Sequence, residues 1–425
     1  MNSLGSFHIN LGWRKQYCGI QTLTHEGVPF YFVDNEYYFN RPALYGFGDD
    51  AERFAYFARA VLAALPYLEF MPQILHCHDW QTAVVPVLLK AHYDGRAGYN
   101  GLRTVLTIHN AEYQGVFAKG TVSDPLALPE DEYFSSDRLE FYGAVSYLKG
   151  GIVFADALTT VSPTYAWEIT TPEGGCGLDG LLRNRKADLR GIVNGIDYDI
   201  YNPAKDELID ANYTWRTLGR KQENKARLQE YLGLPAKPET PLIGMVSRLV
   251  AAKGFDIIAA ALDDLLAMDM QLVIMGTGDE KYANMLRIAA HQHPDRISVH
   301  PYFNEVMAHR IFAGSDMYLQ PSLSEPCGTS QLVAMRYGSV PIVRETGGLK
   351  DTVIPYNEIT GEGNGFCFRE AKVLDMINTI QLASSLYQDK FTWPKIVKAA
   401  MKTDHSWRRS AKDYLEVYQQ LMQKE

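Results

Sequence analysis

The chain is poor in cysteine. Its five cysteines (Cys18, Cys77, Cys176, Cys327 and Cys367) are scattered along 425 residues, odd in number and without a CxxC pair. That spacing argues against a disulfide framework and against a structural zinc site, and it fits a reducing cytoplasm. No run approaches about 18 consecutive apolar residues, so no membrane span is expected. Met1 to Asn10 lacks a basic stretch followed by an apolar run, so no signal peptide is expected either. Basic residues are outnumbered, 41 against 50 acidic ones, for a formal charge of −9. An acidic chain is a poor partner for nucleic acid or an anionic membrane, which select a basic surface. A local basic pocket for a phosphorylated small molecule stays compatible with that balance. Low-complexity signatures are missing as well, since 34 Gly and 20 Pro are ordinary counts for this length. No GxGxxG follows any expected strand, which counts against an NAD-linked dehydrogenase.

What is present is regular alternation. At about 150 residues per domain, the length favours two or three domains. In the first half, Val28–Val33, Ile74–His78, Arg103–His109, Ala157–Val161 and Leu189–Val193 read as strands. A helix capped at Asp49 or Asp50 carries Phe54, Phe57, Ala58, Val61, Leu62 and Leu65 along one face. Ala83–Ala91 reads as a second helix and Tyr142–Phe154 as a long helical region. In the second half, Leu242–Ser247, Leu272–Met275, Ile297–His300, Met317–Gln320 and Val340–Arg344 read as strands alternating with helices. Continuous apolar runs suit parallel strands buried on both faces. The β–α alternation therefore predicts an α/β fold with doubly wound parallel sheets. The seam between two such domains is expected within Asn202–Thr240, a polar stretch with several prolines.

In open α/β sheets ligands bind beyond the carboxyl ends of the strands, so the polar residues just after each strand are the candidates. Arg248 and Lys253 follow the strand ending at Ser247. Two cations beside a helix N-terminus make a pyrophosphate clamp; the plainer reading is a solvated loop. Gly276-Thr277-Gly278-Asp279 is either a ligand-approach loop or a tight turn. Ser324-Glu325-Pro326-Cys327-Gly328-Thr329 brings a carboxylate and free backbone N–H groups to one strand end. Glu325 suits a sugar hydroxyl or a developing cation. Cys327 has no histidine near it in sequence, and a buried structural thiol is the commoner outcome than a nucleophile. His76 and His78 point to one face of their strand. A hydrogen-bonded pair is the simpler account there, because the sequence nominates no further metal ligands. His109-Asn110 ends the next strand at the same edge, either as site residues or as a satisfied structural pair.

Taken together these segments resemble the bacterial glycogen synthase and plant starch synthase family. Ser322-Leu323-Ser324-Glu325-Pro326-Cys327-Gly328-Thr329-Ser330-Gln331 resembles the family run P-S-R-F-E-P-C-G-L-T/S-Q. His76-Cys77-His78-Asp79-Trp80, Thr107-Ile108-His109-Asn110, Val193-Asn194-Gly195-Ile196-Asp197, Val246-Ser247-Arg248-Leu249 and Glu345-Thr346-Gly347-Gly348-Leu349 match in order and spacing. The resemblance implies a GT-B arrangement of two Rossmann-like domains, at 1–205 and 206–395, with a C-terminal helix at 396–425 crossing back to the first. It implies retaining transfer of glucose from ADP-glucose to the non-reducing end of an α-1,4-glucan. Arg248 and Lys253 would grip the donor phosphates. Glu325 would bond the glucose hydroxyls, and Cys327, Gly328, Thr329 and Ser330 would meet phosphate or sugar. His109 would sit against the glucose, with Asp79, Asn110 and Asn194 lining the site and Phe303 beside the adenine. No metal or other cofactor is implied, and no oligomeric state.

The chain departs from the family pattern in several places. Members begin with a strand followed by K-x-G-G-L, whose Lys contacts the donor. No such segment occurs near Met1, so the first domain is expected to lack its first β–α units and to expose apolar edges. Leu323-Ser324 stands where the family has R-F, Thr329 where it has Leu, and Ala252 where it has Gln before Lys253-Gly254. Two other readings remain open at this stage. One is a non-catalytic or weakly active remnant that binds nucleotide sugar or glucan; the other is a UDP-glucose-using transferase.

Overall fold

The structure, a computed structural model, describes residues 1–423. The chain forms two compact units. The first comprises Met1–Thr160, Ala166–Gly191 and the chain from Leu415 onward; the second comprises Val161–Tyr165 and Ile192–Tyr414. Residues 192–205, placed with the first domain by the sequence reading, pack with the second unit. The C-terminal stretch 396–425 is divided at Tyr414, and its last two residues lie outside the described residues.

The first unit opens with an antiparallel sheet of β1 (Asn2–Leu11), β2 (Arg14–His25) and β3 (Val28–Asp34). Of these only β3 is anticipated by the sequence. In β1 just Ile9 and Leu11 are fully buried, so the apolar alternation that marks a half-buried strand is weak. The parallel sheet follows, built from β4 (Ile74–His78), β5 (Arg103–Ile108), β6 (Ala157–Thr160) and β7 (Leu189–Gly191) in the order β7-β6-β5-β4. Val105, Leu106 and Ile108 make β5 an apolar run without exposure. The expected helix over Phe54–Leu65 runs Asp50–Ala64 and buries Ala55, Ala58 and Leu62, one face at helical spacing. The expected helical region from Tyr142 begins only at Tyr147. Tyr142 and Gly143 both take positive φ, which turns Glu140–Phe141 back on Ala144–Ser146 as a hairpin. Ser146 then caps the helix Tyr147–Phe154 by accepting the Lys149 N–H at 3.1 Å. Beside β4, an edge strand among the described residues, lies an apolar groove of about 660 Å³ lined in part by Ile20, Tyr31, Phe57, Val61, Phe70 and Leu75.

The second unit holds a six-stranded parallel sheet: β8 (Leu242–Val246), β9 (Gln271–Met275), β10 (Ile297–His300), β11 (Met317–Gln320), β12 (Val340–Arg344) and β13 (Phe366–Phe368). Their order is β10-β9-β8-β11-β12-β13. Every residue of β8, β9 and β11 is buried, as continuous apolar runs require when helices cover both faces. The chain winds outward from β8 to β10, then returns to add β11 on the other side of β8. That reversal is a topological switch point, the place where loops from non-consecutive strands part and a crevice opens. No helix among the described residues is long and apolar enough to cross a membrane.

Candidate active site

At the switch point of the second unit, the loop after β8 carries Arg248 and Lys253, and the loop after β11 carries Glu325. The two loops meet backbone to backbone. Gly254 takes φ +82°, and a Cβ there would lie 2.1 Å from the Pro321 carbonyl oxygen, so only glycine allows this approach. Lys253 Nζ consequently sits 2.5 Å from Glu325 Oε2. The same carboxylate oxygen accepts from Gln320 Nε2 at 2.9 Å and from Ser322 Oγ at 2.9 Å. Behind Glu325, the loop after β12 supplies Gly348, whose N–H donates to the Glu325 carbonyl at 3.1 Å. Arg248 differs from Lys253: it is exposed, and its guanidinium has no hydrogen-bond or ion-pair partner among the described residues. Its loop is nonetheless fixed, because Leu249 exchanges backbone hydrogen bonds with Thr277 and Asp279, both at 2.8 Å. An anchored loop bearing an unpaired cation is suited to an anionic ligand.

Cys327 is 6% exposed, and burial pushes its thiol up to about 12, with the Asn194 backbone N–H as its hydrogen-bond donor. Such a thiol is a poor nucleophile, in keeping with its reading as structural. Gly328 precedes Thr329, the cap of the short helix Ser330–Arg336. Asn194 belongs to the Val193–Ile196 segment, which Ser410 and His405 tie down through hydrogen bonds to Val193 and Ile196. Phe303 follows β10 and is 64% exposed.

The first unit gathers a different set. β4 and β5 are parallel neighbours with His78 in register with Thr107, so the residues leaving their carboxyl ends meet. His78 Nδ1 lies 3.0 Å from His109 Nε2, and the His109 backbone N–H donates to Asp79 Oδ1 at 2.7 Å. Asp79 accepts this bond from a left-handed backbone, φ +55°, unusual for a residue other than glycine. Burial pushes its carboxyl up, opposed by the His109 charge and by the backbone N–H groups of His109 and Asn110. Asn110 Oδ1 accepts the Glu112 N–H at 3.0 Å, which shapes the loop beyond. Both ring nitrogens of His76 are taken, by the Tyr418 hydroxyl and by Thr107 Oγ1, each at 2.6 Å, which leaves none for a metal. Burial pushes His76 down to about 3 and His78 down to about 4, so both imidazoles are neutral.

Comparison with known proteins decides the family. Residues 1–184 match the family described as starch synthase catalytic domain, and residues 233–391 match glycosyl transferases group 1. The glycogen synthase of Desulforamulus reducens is 52% identical over 422 residues, 99% of this chain and 88% of that one. Those of Caldicellulosiruptor bescii and Geobacillus stearothermophilus are 54% and 50% identical, over 99% and 100% of this chain and 88% and 87% of theirs. The chain belongs to the glycogen synthase and starch synthase family. It is a glycosyltransferase of glycogen and starch synthesis. Among solved structures, the catalytic domain of Starch Synthase IV from Arabidopsis thaliana bound to ADP and acarbose matches with a TM-score of 0.89 and 34% identity, covering 100% of this chain and 90% of that one. The fold is thereby the GT-B type expected from the sequence. Sucrose-phosphate synthase from Thermosynechococcus elongatus, at 19% identity and a TM-score of 0.57, shares the fold.

Three residues with a bearing on this synthase's site were given no role from the sequence. Gln320 and Ser322 both bond Glu325, and Tyr418 bonds His76. Gln320 carried a readable signal, as a polar residue closing an otherwise apolar strand. Tyr418 carried none, because its partner lies 342 positions away.

Proposed function

We propose that this synthase transfers glucose from ADP-glucose to the non-reducing end of an α-1,4-glucan with retention at the anomeric carbon. The observation that supports this most is the strand-end cluster of Arg248, Lys253 and Glu325: one unpaired cation, one cation on a flexible stem, and a carboxylate held in place. In this reading Arg248 and Lys253 take the donor diphosphate. As the bond between the anomeric carbon and the phosphate oxygen breaks, its electron pair leaves with ADP, and the two cations stabilise that charge. The acceptor hydroxyl forms the new glycosidic bond, and its proton passes to the departing phosphate. No enzyme nucleophile is needed, in line with the raised Cys327 thiol. The two cations do the work for which other phosphate-transferring sites recruit a metal, so no cofactor is invoked. Glu325 bonds the glucose hydroxyls. The Gly328–Ser330 backbone, beside Cys327, faces phosphate or sugar, and Asn194 lines the same side. On the other unit, His78 and Asp79 hold His109 at the carboxyl end of β5, and His109 is read as a glucose-contacting residue. Asn110 shapes that loop, and Phe303 offers an exposed face to the adenine. The family's reaction and the cysteine usage support a cytoplasmic location.

The test is glucose incorporation into glycogen by the purified chain, with ADP-glucose or UDP-glucose as donor. Incorporation from ADP-glucose that is abolished by Glu325→Ala is the expected result. A folded chain that incorporates from neither donor would leave a nucleotide-sugar-binding protein without turnover. Preference for UDP-glucose would overturn the donor assignment.

A further inference from the structure

Glu325 is gripped by one oxygen only. Oε2 receives all three donors, Lys253 Nζ, Gln320 Nε2 and Ser322 Oγ. Oε1 has no donor among the described residues, yet it is not one of the buried unpartnered atoms, so it reaches solvent. The carboxylate is thus presented edge-on, one oxygen saturated and the other open.

Gln320 is an odd residue for its place. It closes β11, a central strand whose other members, Met317, Tyr318 and Leu319, are buried and otherwise apolar, and it is itself 7% exposed. Its amide nitrogen is used on Glu325, while its amide oxygen is buried without a partner among the described residues. An amide placed for stability alone would satisfy both ends, because a buried unpaired acceptor costs stability. Strand alternation puts Tyr318 on the same face as Gln320. The Tyr318 hydroxyl donates to the Val246 carbonyl at 2.8 Å and accepts the Val246 N–H at 3.2 Å, which fixes that face against the end of β8. The amide therefore projects from a locked strand.

We propose that Gln320, with Ser322, is a positioning residue for Glu325. The two neutral donors pin Oε2 and aim Oε1 at the sugar hydroxyl, and this rests on the role of Glu325 given above. Their service is distinct from that of Lys253. An ammonium called to the donor diphosphate releases Oε2, and a carboxylate held by that ammonium alone would follow it or rotate. The amide and the hydroxyl carry no charge for a diphosphate to attract, so they hold the carboxylate still while the lysine turns.

The experiment is steady-state kinetics with ADP-glucose and glycogen on Gln320→Met, Ser322→Ala, Glu325→Gln and the Gln320→Met/Glu325→Gln double variant, with unfolding midpoints for each. Gln320→Met is expected to lower kcat/KM for ADP-glucose about tenfold, the scale of one hydrogen bond to a charged group. Its unfolding midpoint should be unchanged or higher, since the unpaired acceptor goes with the amide. In the Glu325→Gln background the same change should alter residual kcat/KM by less than about twofold, because the carboxylate charge that strengthens the bond is already gone. An additive loss in the double variant, or a lowered midpoint with unchanged kinetics, overturns the proposal and leaves Gln320 structural. If Glu325→Gln alone is as active as the wild type, the role of Glu325 is what fails, and the proposal falls with it. Should Gln320→Met not fold, Ser322→Ala carries the same kinetic expectations at the cost of one hydroxyl.

Discussion

In the four-stranded sheet the strands run β7-β6-β5-β4, each beside its predecessor in sequence; the six-stranded sheet reverses between β8 and β11. The first arrangement brings together residues from consecutive strands. His78 and His109 meet because β4 and β5 are neighbours, and the result is a pair of imidazoles in contact beside an aspartate with a left-handed backbone. The second arrangement brings together residues 72 positions apart, Lys253 and Glu325, and the result is charged. The difference teaches where each kind of chemistry can be built. A switch point converges loop ends and backbone N–H groups where an anion can bind, whereas adjacent strand ends bring neighbouring side chains into direct contact. In the function proposed above, the cations of the second unit manage the charge of the leaving group, and the His78–Asp79–His109 cluster of the first serves the sugar.

The largest expected effects test the charged half. Lys253→Ala and Arg248→Ala should each lower glucose incorporation by about 10²–10³-fold, the scale of losing one preorganised electrostatic contact. The two should part company in stability. Lys253→Ala leaves the buried Glu325 carboxylate without its ammonium and should cost about 3 kcal/mol of unfolding free energy. Arg248 is exposed and has no partner among the described residues, so its loss should stay within about 0.5 kcal/mol in denaturant titration. Equal stability losses would mean that Lys253 and Glu325 are not a held pair.

A smaller effect tests the neutral half. His76 and His78 are pushed down to about 3 and about 4 by burial. An unfolded chain binds protons at these imidazoles below about pH 6.5, whereas the folded chain refuses them. Their contribution to stability is therefore complete above about pH 6.5 and is lost as the pH falls through that value toward 4. His76→Gln keeps a donor and an acceptor for Tyr418 and Thr107 but does not titrate. Its unfolding midpoint should fall less steeply than the wild type's between about pH 7 and pH 5. A slope as steep as the wild type's would show that His76 is not a buried neutral group.

Much of the scaffold could be read in advance, and for a physical reason. Strands buried on both faces must be largely apolar, so β5, β8, β9, β11 and β12 announce themselves as runs, while β4 is a half-buried edge strand that ends in His76-Cys77-His78; the strand ends nominate Asp79, His109, Arg248 and Lys253. The antiparallel sheet of β1 and β2 was not readable, because a half-exposed strand such as Arg14–His25 mixes charged, polar and apolar residues. The helix Tyr147–Phe154 was read as starting too early because Tyr142-Gly143 hides a turn that depends on backbone sign, not on hydropathy. Within the site, residue types and strand-end positions were visible, but their pairing was not. Nothing in the order of residues says that one oxygen of Glu325 takes three donors, or that His76 bonds a tyrosine near the C-terminus.

The division of labour between the two sheets is tested most directly by titrating ADP itself into the wild type, Arg248→Ala and His109→Ala. ADP carries the leaving-group charge without the sugar. ADP affinity lowered about tenfold or more in Arg248→Ala, and unchanged in His109→Ala, is the predicted result. Affinity that falls in His109→Ala while Arg248→Ala binds as the wild type does would contradict it.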